Sequence, residues 1–200
     1  MDEKNRQIRN RELLEPNFMI SMYAGGAFPM AEEDGTINWY LPDIRAVIPV
    51  DEFSIPRSLR KFMETSGFEF SYDKETMRVV KECANREQTW ISDELIKAYQ
   101  NLQVLGFLHS VEVYQKNKLI GGLYGISFRG AFFGESMFSK KSQASKTAMV
   151  KLFERLKIKG FTIVDVQYMT DHLAMFGAKE ISFRKYEEML IDAYSKFPKF

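Results

Sequence analysis

The stretch HSVEVYQKNKLIGGLYGISFRGAFFGESMF, residues 109–138, decides the fold that this chain can adopt. Three runs rich in β-branched and aromatic residues are separated by two short turns, KNK at 116–118 and RG at 129–130. Runs of this length joined by two- or three-residue turns are typical of consecutive antiparallel strands. The stretch therefore predicts a three-stranded meander at the centre of a sheet.

Helical patterns lie on both sides of this meander. Residues 92–106 predict a helix that Gly106 ends, and residues 142–160 predict a longer one with apolar residues at the 3.6-residue period. FTIVDVQYM, at 161–169, reads as a strand buried on both faces. Together they predict an α+β fold, a central sheet flanked by helices. We expect a small, irregular N-terminal lobe over residues 1–43 and the main domain over residues 44–200.

Composition limits the classes of function. The net charge of +1 gives no overall field that would attract nucleic acid. The single cysteine, Cys83, cannot form an intrachain disulfide, and the charged N-terminus lacks the apolar core of a signal peptide. We therefore expect a cytoplasmic protein with no membrane association. With only His109 and His172, and neither GxxxxGK[ST] nor GxGxxG, we expect no metal and no cofactor.

Several short motifs run in order over roughly residues 12–190. They are GAFPM…NWYLPDIRAV (26–47), CANREQTWIS (83–92), AYQNLQVLGFLHSVEVY (98–114), LIGGLYGI (119–126), FFGESMFS (132–139), ASKTA (144–148), VDVQ (164–167), DHLAMFGAKEI (171–181) and RKY (184–186). With them the chain resembles the leucyl/phenylalanyl-tRNA–protein transferase family. The resemblance implies an acetyltransferase-like (GNAT-like) main domain. It also implies transfer of Leu or Phe from Leu-tRNA or Phe-tRNA to proteins that begin with Arg or Lys, the N-degron step of bacterial protein degradation.

The chemistry requires an amine to attack an ester that is already activated, so positioning and charge stabilisation are the main tasks. Asp165 and Gln167 lie two apart at a strand end, which predicts that they share a face. A carboxylate beside an amide could hold the amine and assist its deprotonation. The resemblance assigns the catalytic pair to these two residues. The alternative for Asp165 is a strand-end acid that caps the following turn.

Glu135 interrupts an apolar strand between Phe133 and Met137. The resemblance assigns it to substrate binding at the catalytic centre, where an acid would also suit a cationic acceptor side chain. The alternative is an exposed strand-end charge paired with Lys140 or Lys141.

The resemblance also implies an apolar slot for the leucine or phenylalanine side chain. Its expected members are Leu123, Met137, Met149, Leu152, Leu156 and Val164. Unbranched methionines could adapt to both side-chain shapes, although the same residues would also serve as an ordinary core face. The resemblance places Trp90 near the terminal adenosine and aminoacyl group, and Tyr99 is expected to help line the entrance. Met30 stands where the family usually has a tryptophan that contributes to the aminoacyl-adenosine site.

Arg57, Arg60 and Lys61, on one predicted helix, are the expected tRNA-binding cations. Lys140, Lys141 and Lys146 form a second basic group. The alternative is a solvated helix face balanced by acids, because Glu64 stands where the family has further cations.

Two other functions stay open at this stage. An acyltransferase that uses acetyl-CoA would need a glycine-rich loop before the long helix, and KKSQAS has no glycine. A non-catalytic relative could bind tRNA or N-terminal peptides. The presence of Glu135, Asp165 and Gln167 together favours an enzyme, which we expect to be a monomer.

Overall fold

The computed structural model describes residues 3–200, which form eight α-helices and nine β-strands. The helices are α1 Glu3–Leu13, α2 Pro16–Ala24, α3 Arg57–Thr65, α4 Thr76–Ala84, α5 Asp93–Val104, α6 Ala144–Lys159, α7 Asp171–Ala174 and α8 Phe183–Tyr194. The strands are β1 Phe28–Ala31, β2 Ile37–Tyr40, β3 Ile44–Pro49, β4 Glu69–Tyr72, β5 Leu108–Gln115, β6 Lys118–Phe128, β7 Ala131–Ser139, β8 Ile163–Gln167 and β9 Lys179–Ser182. A 3₁₀ turn, Val50–Glu52, follows β3.

The main sheet has seven strands in the order β4-β5-β6-β7-β8-β3-β9. Strands β7 and β8 are parallel, whereas the other neighbouring pairs in this sheet are antiparallel. The predicted meander is confirmed as β5–β6–β7. Its first turn places Lys116 and Asn117 at positive φ, 50° and 59°, as a tight hairpin requires. The expected α+β fold with a mixed sheet is confirmed.

Helices cover both faces of the sheet. One core lies beneath α2, α4, α5 and α8, and the other beneath α3 and α6. Helix α6 lies very close to β6 at Gly121. A Cβ added at this glycine would stand only 2.5 Å from the Cβ of Ala144. This close approach brings the apolar face of α6 against the middle of the sheet.

The N-terminal lobe is more regular than the sequence predicted, so the expectation of an irregular segment was wrong. It contains α1, α2 and the β1–β2 hairpin. The buried Asn10 side chain joins these parts: Nδ2 donates to the Gly35 carbonyl (2.9 Å) and to Glu94 (2.6 Å), and Oδ1 accepts from the Ile37 amide (3.0 Å). Hydrogen bonds of one buried polar side chain thus link α1 to the β1–β2 hairpin and to α5.

Helix α3 begins after Pro56. Residues 179–182 form the edge strand β9 beside β3. Across residues 3–200, none of the helices combines the length and apolarity that a bilayer-spanning segment needs.

Candidate active site

The two parallel strands separate at the centre of the sheet. Their last paired residues are Phe133 on β7 and Asp165 on β8. Each strand also carries one residue that its antiparallel neighbour does not pair: Glu135 on β7, opposite β6, and Val166 on β8, opposite β3. An unpaired residue of this kind bends a strand and re-aims the side chains around it. The gap that follows is where the polar side chains collect.

A cavity of about 460 Å³ occupies this gap. Its apolar wall comes mainly from β6, β7, β8 and α6. It includes Leu123, Phe132, Met137, Met149, Leu152, Phe153, Val164 and Val166, together with Leu173 on α7. Its polar lining includes Glu135 and Gln167 from the two diverging strands. The cavity therefore combines an apolar chamber with a polar edge, the usual composition of a small-molecule site.

Glu135 is buried, with 8% of its surface exposed, rather than an exposed partner of a lysine. Its Oε2 accepts a hydrogen bond from the Tyr99 hydroxyl at 2.7 Å, and Tyr23 lies behind Tyr99 with 3.5 Å between their hydroxyls. Lys140, the alternative partner, pairs with Glu82 instead. Burial raises the pKa of Glu135 to about 7. The carboxyl can therefore exchange a proton near neutral pH.

Gln167 holds its side-chain amide against β7. Its Nε2 donates to the Gly134 carbonyl at 3.2 Å and lies 3.4 Å from Oε1 of Glu135. The backbone of Gln167 has φ 65°, in the left-handed region that non-glycine residues seldom occupy. This conformation ends β8 and brings the side chain to the cavity.

Asp165 is fully buried and lies outside the set of cavity-lining residues. Arg45 donates to Oδ1 through Nε (2.9 Å) and to Oδ2 through Nη2 (2.6 Å). The Tyr186 hydroxyl donates to Oδ2 at 2.6 Å, and the Gln167 backbone amide to Oδ1 at 2.8 Å. The expectation that Asp165 and Gln167 share a face was wrong, because the unpaired Val166 and the left-handed Gln167 break the alternation between them.

Most of the expected apolar slot lies where the sequence placed it. Leu123, Met137, Met149, Leu152 and Val164 line the cavity. Leu156, one turn further along α6, is fully buried in the core and is not one of the lining residues.

The three remaining substrate-binding candidates, Trp90, Tyr99 and Met30, lie in different places. Trp90 lines the cavity and is half-buried. Tyr99 is buried beneath Glu135 and acts on the cavity only through its hydrogen bond to that carboxyl. Met30 lies on β1 opposite Asn38 and packs against the N-terminal core, outside the cavity lining.

Arg86 and His172 are among the cavity-lining residues that sequence reasoning missed. Arg86 donates to the hydroxyl of Ser136 (2.9 Å) and to the carbonyl of Met137 (3.2 Å), so it fixes the start of the diverging part of β7. His172, on α7, lines the cavity, and the Thr170 side chain caps this short helix. Burial, and then the nearby charge of Lys146, lower the pKa of His172. Both residues lie within motifs quoted above, at 83–92 and 171–181, but local periodicity does not show that their side chains reach a cavity.

The expected tRNA-binding cations are exposed on α3. Arg57, Arg60 and Lys61 form no ion pair with any residue in the described part of the chain. In the second basic group, Lys140 is paired and Lys141 donates to Gln115 at 2.5 Å. The α3 group therefore presents the freer positive charge. Within residues 3–200, no three His, Cys, Asp or Glu side chains are grouped as a metal site would require.

Two family models match the chain. The model described as leucyl/phenylalanyl-tRNA protein transferase matches residues 47–191, and the one for the N-terminal domain of these transferases matches residues 13–43. The chain belongs to the leucyl/phenylalanyl-tRNA–protein transferase family. The resemblance inferred from the motifs is thus confirmed, as is the enzyme class, an aminoacyltransferase. The division at residues 43 and 44 stays a prediction.

Individual members of this family are similar along most of their length. The leucyl/phenylalanyl-tRNA–protein transferase of Salinibacter ruber is 43% identical over 92% of this chain and 82% of its own. That of Herpetosiphon aurantiacus is 46% identical over 90% of this chain and 94% of its own.

Solved structures support the acetyltransferase-like fold. The structure of FemX has a TM-score of 0.55 at 10% identity, covering 79% of this chain and 63% of its own. A GCN5-related glucosamine N-acetyltransferase region of a fungal β-N-acetylglucosaminidase has a TM-score of 0.50 at 13% identity, covering 72% of this chain and 21% of that chain. At these identities the likeness concerns the fold alone, and the expected GNAT-like fold is confirmed.

Proposed function

We propose that this protein transfers leucine or phenylalanine from aminoacyl-tRNA to the α-amino group of proteins that begin with Arg or Lys. The observation that carries the proposal is the position of Glu135 and Gln167, two polar side chains at the edge of an apolar cavity in a member of this family. An aminoacyl ester has the same two-part character, an apolar side chain next to a polar reacting carbonyl.

Gln167 is the group that would orient the attacking amine. Its Nε2 is already engaged with Gly134 and Glu135, so Oε1 is the atom that can accept a hydrogen bond from the amine. A free α-amino group has a pKa of about 7.7–8, so part of it is neutral at physiological pH. Fixing that neutral amine beside the ester carbonyl supplies the positioning on which aminolysis depends.

Glu135 is the group that would take the proton released when the C–N bond forms. It is the only acid among the lining residues that the structure describes, and its pKa of about 7 is matched to the amine. Its negative charge would also attract the ammonium form of the acceptor and a cationic first side chain. Asp165 would act indirectly, because its oxygens are occupied by Arg45, Tyr186 and the Gln167 amide.

The chamber would hold the aminoacyl side chain. Met137 and Met149 face it together with Leu123 and Leu152. Flexible thioether side chains could adjust to a branched leucine or a flat phenylalanine, whereas a polar side chain would lose its hydrogen bonds to water there.

The tRNA itself would be held outside the chamber. Trp90, half-buried at the cavity, offers an indole on which a terminal base could stack, worth about 1–3 kcal/mol. Arg57, Arg60 and Lys61 are free to contact phosphates of the acceptor stem.

The test is a transfer assay with separate donors and acceptors. Labelled Leu-tRNA, Phe-tRNA, Val-tRNA and acetyl-CoA are each incubated with peptides that differ only at residue one. Label from Leu-tRNA and Phe-tRNA in Arg- and Lys-starting peptides is expected. Transfer from acetyl-CoA alone, or tRNA binding without transfer, would contradict the proposal.

A further inference from the structure

Arg45 and Tyr186 lie on the far side of Asp165 from the cavity. Arg45, on β3, is 1% exposed, and Tyr186, on α8, is fully buried. The guanidinium also stacks against the ring of Tyr186, 5.1 Å from its centroid, and against Phe28 at 4.7 Å. Burial alone would lower the pKa of Arg45, but the charge and hydrogen bonds of Asp165 outweigh it and raise that pKa. The guanidinium therefore stays charged and paired.

This network ends on the backbone of Gln167. Oδ1 of Asp165 accepts from the amide two residues later, at 2.8 Å, which is the geometry of an Asx turn. Such a turn offers the chain a local hydrogen bond in place of the strand ladder. It fits the left-handed conformation of Gln167, which disfavours any residue with a Cβ unless its surroundings hold it.

The N-terminal lobe is shaped to admit Tyr186. Gly26, at φ 85°, follows α2, and a Cβ added there would lie 2.5 Å from Cε1 of Tyr186. The ring is thus held between Gly26 and Arg45, with its hydroxyl directed at Asp165. A buried ion pair is weak support for stability, because desolvation offsets much of its attraction. The Arg45 guanidinium holds one side of the Asp165 carboxylate and the Gln167 amide binds the other. This geometry suits a role in orienting Gln167.

We propose that Arg45 and Tyr186 are positioning residues for the transfer reaction. They fix the carboxylate of Asp165, and Asp165 fixes the backbone of Gln167 so that its amide stays against Gly134 and Glu135 at the cavity edge. This inference rests on the proposed function, because it assigns a role within that reaction.

A double-mutant cycle separates positioning from a general effect on the fold. Transfer is measured in the wild type, Tyr186→Phe, Gln167→Ala and the double variant, with Leu-tRNA as donor and an Arg-starting peptide as acceptor. Tyr186→Phe keeps the ring and removes the hydrogen bond to Asp165. We expect kcat to fall about tenfold, with KM for Leu-tRNA within about twofold, since the lost interaction orients a reacting group. In the Gln167→Ala background the same change should cost nothing further.

The matched control is Tyr194→Phe. Tyr194 lies on the same helix, and its hydroxyl donates to the Ala24 carbonyl at 2.7 Å rather than to Asp165. Its removal should leave kcat unchanged in both backgrounds. Arg45→Lys, which keeps the charge and loses the fork, should behave like Tyr186→Phe and serves as a second variant if the first is unstable.

The outcomes are distinct. A wild type that transfers no aminoacyl group overturns the proposed function and this inference with it. An active wild type whose kcat survives both Tyr186→Phe and Arg45→Lys overturns the inference alone. The same is true of a fall in kcat that is equal with and without Gln167, because that fall would be structural.

Discussion

Two buried carboxyl groups stand at the ends of neighbouring strands, and the chain treats them in opposite ways. Asp165 receives a guanidinium fork, a phenol and a backbone amide, and it does not line the cavity. Glu135 lies by the cavity with a phenol and one longer amide contact, and no cation pairs with it among the described residues. The first is held in one place by these hydrogen bonds. The second is left able to change its charge.

The difference shows how one site can separate orientation from proton transfer. Asp165 does not line the cavity and its oxygens already accept hydrogen bonds from three groups, so it is not placed to take a proton from the amine. A carboxyl whose charge is penalised by burial titrates close to the pKa of the amine that it would serve. We therefore propose that Glu135 accepts the proton and that Asp165 orients Gln167.

The largest effect is expected at Asp165. Replacing Asp165 with alanine leaves Arg45 charged and buried without its partner, so we expect the free energy of unfolding to fall by about 3–5 kcal/mol and transfer to be lost. Urea unfolding and the transfer assay measure both. The control, Glu52→Ala, breaks the exposed pair with Lys179 and should cost below about 1 kcal/mol. If both substitutions lowered the free energy of unfolding equally, Asp165 would not differ from an ordinary surface acid.

The next effect is on the rate at Glu135. Glu135→Gln keeps the size of the side chain and a hydrogen-bonding oxygen for Tyr99, but it cannot accept a proton. We expect transfer at pH 7.5 to fall by roughly 10²–10⁴-fold, the usual contribution of a positioned base, with unchanged binding of Leu-tRNA. Single-turnover transfer and filter binding measure these quantities. A loss in binding with an unchanged rate would move Glu135 from proton transfer to substrate anchoring.

The same residue predicts a pH dependence of stability. Because the pKa of Glu135 in the folded protein is raised from 4.5 to about 7, the folded state binds this proton more tightly than the unfolded state. Stability is therefore lost as the pH rises from about 4.5 to about 7, by on the order of 3 kcal/mol. Glu135→Gln should lack this loss in urea unfolding. Ser136→Ala, a neighbouring change that does not titrate, should retain it; parallel curves for both variants would contradict the prediction.

A smaller effect is expected from the chamber. Met149→Phe narrows the apolar wall, so kcat/KM should fall more for Phe-tRNA than for Leu-tRNA, by about tenfold in the ratio. Leu156→Met, a nearly volume-conserving change in the core behind the chamber, should leave the ratio unaltered. A ratio that responds equally to both would place the donor side chain elsewhere.

The smallest effect per residue is expected on α3. Alanine in place of Arg57, Arg60 or Lys61 should weaken Leu-tRNA binding and lower the slope of log affinity against log salt by about one for each phosphate that the variant no longer neutralises. Alanine in place of Lys118, which is exposed at the start of β6, is the control and should leave the slope unchanged. A slope that no α3 variant alters would show that the stem lies against another surface.

Local patterns sufficed for the meander, the long helix α6 and most of the chamber, because hydrophobic periodicity and turn residues report them directly. They did not suffice for the polar edge of the cavity. Alternation along VDVQ put Asp165 and Gln167 on one face, but an unpaired Val166 and a left-handed Gln167 separate them. Whether a strand carries a bulge depends on its register with the neighbouring strand. The sequence of the strand alone does not specify that register.

Interactions between distant parts of the chain account for the other differences. Arg45 is 120 residues from Asp165, and Asn10 is 84 residues from Glu94. Nothing in the charged sequence of α1 indicates that one of its amides is buried. Arg86 and His172 lie in motifs at 83–92 and 171–181, but only the folded chain shows that they reach the cavity, from a loop and a short helix.

The central claim, that Glu135 accepts the amine proton, is tested most directly by a ratio of rates. Single-turnover transfer from Leu-tRNA to an Arg-starting peptide is measured from pH 5.5 to 8.5, as assay conditions, in the wild type and in Glu135→Gln. The titration of the peptide amine is common to both proteins and cancels. The wild-type rate divided by the variant rate should rise through a midpoint near the Glu135 pKa of about 7 and then level off. A ratio that does not change with pH would contradict the account.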